Sequence, residues 1–172
     1  MLKFDKIKIV SDISNIEIYD EDIFEKKYKN DVLTELRYMA EEPYYLYIEV
    51  DFEENELVIE FTGKVLGKDY PKLISKETIY SCFDEINSNG AFSVEAEMLM
   101  NAVVVKCDVT SDIVWDDVQN FTQYVRNNLT NYQKYICKRE RNGNLVLEKN
   151  VSTRQLKKRL VIYDKGSEMS LR

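Results

Sequence analysis

The sequence predicts an α+β fold: a mainly antiparallel β-sheet with two main helices packed on one face. Three observations carry that expectation: short β-rich segments bounded by turn residues, two one-sided apolar stripes at helical spacing, and an Asn-Gly hairpin signal. With 172 residues, 44% hydrophobic and 32% charged, the chain is long enough to bury a core and too apolar to be disordered. One domain over 1–172 is expected, without repeats or low-complexity tracts.

The elements follow in order. Residues 4–10 alternate β-branched and charged side chains and read as a strand. Residues 12–31 are acidic and polar and read as a short helix or an irregular excursion. Residues 35–39 read as a short strand. Residues 44–51, rich in Tyr, Ile and Val, and residues 57–66 read as a hairpin around a turn at Glu53, Glu54 and Asn55. Residues 67–71 form a loop. Ser75 opens a helix by capping it, with Glu77 in the first turn; Ile79, Cys82, Phe83 and Ile86 give it an apolar face. Asn89 and Gly90 close it. Phe92 and Val94 mark a brief strand. Residues 102–110 are apolar enough to predict a strand at or near the sheet centre. Asp112 caps a second helix over about 115–129, with Trp115, Val118, Phe121, Thr122, Val125 and Leu129 on one stripe. Residues 132–138 and 145–147 read as strands joined by the Asn142-Gly143 turn. Residues 160–163 form the last strand.

Composition excludes much chemistry. There is no histidine, so no Ser-His-Asp triad, no Cys-His dyad and no His-ligated zinc can form. A metal would be a hard ion held by carboxylates. Acid–base work would fall to Asp, Glu, Lys, Tyr or Cys. Cys82, Cys107 and Cys137 are an odd, unclustered set and read as reduced thiols of a cytoplasmic protein. The apolar runs are too short to span a membrane, and the opening residues have no signal-peptide core. The net charge of −7 is unevenly spread. Residues 1–114 carry 12 Lys+Arg and 25 Asp+Glu, whereas residues 115–172 carry 12 and 6. A basic portion of this kind can face a polyanion, or the two portions can simply be solvated.

Two segments concentrate reactive side chains. In Lys106-Cys107-Asp108-Val109-Thr110-Ser111-Asp112, strand alternation sends Lys106, Asp108 and Asp112 the same way. Asp108 and Asp112 could share a divalent cation; equally, Asp108 suits an ion pair and Asp112 a helix cap. In the second segment the cations Lys157, Lys158 and Arg159 lead through an apolar strand to Tyr163, Lys165 and Glu168. A phenol with a pKa near 10 is a poor nucleophile unless a cation stabilises its phenolate, and Lys165 is placed to do so. Glu168 could reach a metal or a leaving group. Twelve tyrosines, among them Tyr44, Tyr45 and Tyr47, suit core packing or base stacking.

Arg159-Leu160-Val161-Ile162-Tyr163-Asp164-Lys165-Gly166-Ser167-Glu168 resembles the R-hydrophobic-x-hydrophobic-Y-D-K-x-x-E signature of rolling-circle replication initiators. These are the filamentous-phage gene II-type and related plasmid Rep families. Residues 104–112 resemble their upstream acidic strand, R-x-D-h-T-x-D, and the likeness covers about residues 45–172. It implies a Rep-nuclease-like fold, the N-terminal nuclease-like domain of a longer initiator, and a metal-dependent DNA nicking–joining endonuclease. Tyr163 would be the nucleophile and Lys165 the cation supporting it. Asp108, Asp112 and Glu168 would hold Mg²⁺ or Mn²⁺. Lys106, Lys157, Lys158 and Arg159 would contact DNA. Single-stranded or supercoiled origin DNA would be the partner, with a helicase as a further one. The family's His-hydrophobic-His metal motif has no counterpart here, so the ligands would be acidic, as in some plasmid Rep families. Two other readings stand beside this one: a non-catalytic nucleic-acid-binding module of the same ancestry, and an acidic protein–protein adaptor.

Overall fold

The computed structural model describes residues 2–97, 101–111, 116–131, 133–140, 144–149 and 159–163. The protein is α+β with mainly antiparallel pairing, and the chain divides into two compact units, Met1–Ser111 and Asp112–Arg172.

The first unit is built on a six-stranded sheet. Its strands are β1 (Phe4–Asp12), β3 (Glu25–Lys29), β4 (Val32–Ala40), β5 (Leu46–Asp51), β6 (Glu56–Thr62) and β8 (Val103–Val109). They run in the order β3-β4-β5-β6-β1-β8, and every neighbouring pair is antiparallel. Two short strands, β2 (Ile16–Ile18) and β7 (Phe92–Val94), pair separately. β3 through β6 form a meander because the turn residues permit it. Asn30 and Asp31 both take positive φ, as a tight hairpin needs, and Asn55 does the same between β5 and β6. Asp51 Oδ1 secures that second turn by accepting from the Glu53 and Glu54 N–H groups, each at 2.9 Å.

Strand alternation gives the sheet two unlike faces. One carries Ile7, Ile9, Leu36, Ile48, Val50, Leu57, Ile59 and Phe61, all buried. Helix α1 (Ile79–Asn87) covers this face with Cys82, Phe83 and Ile86. Phe83 meets Phe61 edge-on, with ring centroids 5.7 Å apart. Three-residue sequence spacing on α1 and two-residue spacing on β6 therefore supply the two sides of one core.

In the second unit, α2 (Val118–Asn128) precedes β9 (Tyr135–Arg139), β10 (Leu145–Lys149) and β11 (Arg159–Ile162). The strands are antiparallel in the order β11-β10-β9. Arg139 ties β9 to the end of α2: its Nε donates to Arg126 O at 2.7 Å and its Nη2 to Leu129 O at 3.0 Å. A guanidinium there satisfies carbonyls that the helix leaves unpaired.

Several elements differ from expectation. β8 is the edge strand of its sheet, not its centre, and all seven of its residues are exposed. Its valine run looks buried only if a strand lies on each side, and among the described residues β1 alone pairs with it. The 12–31 segment, expected as a short helix or an irregular excursion, contains two strands and two 3-10 turns. Asp12 and Asp20 cap those turns by accepting from Ser14 and Asp22 N–H. Helix α1 begins at Ile79, after a turn in which Thr78 N–H and Ile79 N–H both donate to Ser75 O. Asp117 caps α2, its Oδ1 accepting from Asn120 N–H. Asp112, expected in that role, lies outside the described residues.

Candidate functional site

The second face of the six-stranded sheet is polar. The register places Lys6, Lys8, Arg37, Glu49, Tyr47, Glu60, Lys106 and Asp108 on it, opposite the core. Two charge networks occupy this face.

The first centres on Glu60 of β6. Its Oε1 lies 2.8 Å from Lys6 Nζ on β1 and 3.1 Å from Lys106 Nζ on β8. Burial, the largest single influence, raises the Glu60 pKa. Hydrogen bonds from Lys6 and Lys106 and their charges together outweigh it and hold the carboxyl below its ordinary value. Lys6 also lies 3.8 Å from the centre of the Tyr45 ring, a cation–π contact.

The second network spans β3, β4 and β5. Glu35, Glu49 and Asp51 bring carboxylate oxygens within 4.8 Å of one another, the one such trio among the described residues. Cations already fill the space around it. Lys27 Nζ lies 3.0 Å from Glu35 Oε2, and Arg37 Nε contacts Glu35 Oε1 and lies 3.6 Å from Glu49 Oε2. Glu35 is only 5% exposed, and its Oε1 accepts no well-directed hydrogen bond among the described residues. The Arg37 contact is thus an ion pair of poor hydrogen-bond direction, and it still supplies the countercharge. Tyr47 donates its hydroxyl to Glu49. Burial first, and then that hydrogen bond, push the Tyr47 phenol well above its usual range. The trio is a charge-compensated cluster in which a divalent ion would have to displace Arg37 and Lys27.

The residues singled out in the sequence fall in both units. Lys106 and Asp108 lie on β8 in the first, and their register neighbours on β1 are Lys8 and Lys6. Lys106 is half-exposed and pairs with Glu60 across β1. Asp108 is exposed and in no ion pair among the described residues. Arg159 and Tyr163 belong to the second unit. Arg159 opens β11 opposite Glu148, with Nη2 3.2 Å from Glu140 Oε1. Tyr163 follows the last residue of β11 and is 36% exposed. Asp112, Lys157, Lys158, Lys165 and Glu168 lie outside the described residues.

Sequence reasoning did not single out Glu60 or Glu35. The alternation that buries Ile59 and Phe61 turns Glu60 to the opposite face, but its cations come from β1 and β8, which are distant in sequence. Among known proteins, no family model, no curated protein and no solved structure matches the chain significantly.

Proposed function

We propose that this chain is a DNA nicking–joining protein of replication initiation, with Tyr163 as its nucleophile. The observation that carries the reading is the place of Tyr163. It stands immediately beyond a short antiparallel strand, partly exposed, inside Tyr163-Asp164-Lys165-Gly166-Ser167-Glu168. A strand end fixes where a side chain leaves the sheet, and Tyr163 is 36% exposed there. The basic balance of residues 115–172 supports a polyanionic partner for this part of the chain.

In the proposed reaction the Tyr163 oxygen attacks a DNA phosphorus atom. The bond from phosphorus to the 3′-oxygen breaks, and that oxygen leaves as a 3′-hydroxyl, taking up a proton. A 5′-phosphotyrosyl link remains, and attack by a 3′-hydroxyl reverses it. Lys165 would stabilise the phenolate. The metal the resemblance implies would be Mg²⁺ or Mn²⁺; Asp108 is an exposed carboxylate, and a single carboxylate does not make a site.

The test uses the full chain with Mg²⁺ or Mn²⁺, supercoiled plasmid and a 3′-labelled pool of random-sequence single-stranded DNA. Relaxation of the plasmid and a labelled protein adduct that survives SDS are expected, and both are lost in Tyr163→Phe. Salt-dependent binding with neither nick nor adduct would leave a non-catalytic DNA-binding module. Absence of binding at micromolar protein would leave an adaptor.

A further inference from the structure

We infer that two copies of this chain associate edge to edge through β8, antiparallel, with Cys107 of one copy opposite Cys107 of the other. Four observations lead there. β8 ends the six-stranded sheet, and its outer edge pairs with nothing among the described residues. Its seven residues are all exposed, with Val103, Val104, Val105 and Val109 between 42% and 61% accessible. A long apolar edge of this kind is a template for another strand. Beside it, Phe4, Ile7, Ile9, Ile74 and Val104 line a shallow, open apolar hollow of about 190 Å³, so the apolar surface continues from the strand onto the core side of the sheet.

The fourth observation is charge, and it selects the occupant. A lone lysine on an edge strand repels partner strands. Here Lys106 is followed two residues later by Asp108 on the same face. Antiparallel self-pairing about Cys107 sets Lys106 against Asp108 of the second copy, twice, each Lys106 ammonium turning from Glu60, which Lys6 still holds at 2.8 Å, and Val105 against Val109, twice. Centring the pairing on Lys106 or on Asp108 would oppose like charges. A one-residue slip would pair opposite faces, which the pleat forbids. The backbone agrees. Thr110 N–H donates to Lys3 O towards β1, so by alternation Cys107 and Val109 turn their N–H and C=O groups outwards. Lys106 and Asp108 then fall in the non-hydrogen-bonded pairs, where cross-strand side chains are closest. The register shift at Val105, where Lys8 faces Lys106 and Ile9 faces Val104, limits the ladder to about five residues. The contact is therefore reversible and specific to one register.

Sedimentation of the full chain at about 100 µM in low salt tests this directly. A species of about twice the 20.3 kDa chain mass is expected. Lys106→Asp alone and Asp108→Lys alone should each weaken self-association by at least about tenfold, since two attractive pairs become repulsive. Mixing the two variants should restore a heterodimer, because both cross-strand pairs are then complementary. Circular dichroism checks that each variant is folded. An independent arm uses wild-type protein and diamide, which takes two protons and two electrons from the facing thiols and becomes the hydrazine. A disulfide-linked dimer is expected, since the Cα spacing of such a pair, about 5.5 Å, suits a disulfide. It should vanish in Cys107→Ser and persist in Cys137→Ser. A monomeric wild type, a dimer indifferent to both charge variants, or a cross-link surviving Cys107→Ser would each overturn the inference.

Discussion

Lys106 of the edge strand reaches over β1 to the Glu60 carboxylate of β6, with 3.1 Å between Nζ and Oε1. One carboxylate thus ties together three strands, because Lys6 of the intervening strand holds the same oxygen.

This arrangement makes acid sensitivity a property of Glu60. Its folded pKa is lowered from an ordinary 4.5, so between the two values the unfolded chain binds the extra proton. The stabilisation is present above about pH 4.5 and is lost as pH falls through the folded value. Glu60→Gln should cost about 1–2 kcal/mol at pH 7 and progressively less as pH falls below 4.5, read from urea midpoints across an acid series. A loss that does not change with pH would mean that the charge contributes nothing.

Phe83 tests the core that α1 makes with the sheet. It is 1% exposed and packs edge-on against Phe61. Phe83→Ala should destabilise the first unit by about 3–5 kcal/mol, and Phe83→Leu by clearly less, because leucine refills much of the volume. Denaturant unfolding monitored by circular dichroism measures both.

Cys82 is fully buried, and burial pushes its thiol up to about 12. The thiolate is the reactive form. Peptide mapping after maleimide treatment at pH 8 should find Cys82 unmodified in the folded protein and modified after unfolding in urea. Above about pH 9 the unfolded thiol ionises while the folded one does not, so the Cys82 contribution to stability declines as pH rises.

For the proposed DNA partner, replacing Lys157 and Lys158 together by Ala should weaken single-stranded DNA binding. The slope of log affinity against log salt should also flatten by roughly one to two units. Fluorescence anisotropy across a salt series reads both. An unchanged slope would remove these lysines from the interface.

The hairpin of β5 and β6 was legible because both strands alternate and Asn55 marks the turn. α1 was legible because Cys82, Phe83 and Ile86 recur at helical spacing. The place of β8 was not, since Val103, Val104 and Val105 state what the strand is made of and not how many neighbours it has. β7 was legible from Phe92 and Val94 two residues apart, whereas β2, also three residues long, escaped notice among the acids around it. Of the candidate site, the shared face of Lys106 and Asp108 followed from alternation alone. The capture of Lys106 by Glu60 did not, because it depends on β1 lying between strands that are distant in sequence.

The placement of β1 between β6 and β8 also orders events on the ribosome. Residues 4–12 emerge before both partners: they find β6 only after residue 62, and β8 about forty residues later. At about 5–20 residues per second, one flank of β1 stays open for about 2–8 s after the other has closed. During that interval the nascent chain carries an unpaired internal strand edge, which a chaperone or a neighbouring nascent chain can reach before β8 does.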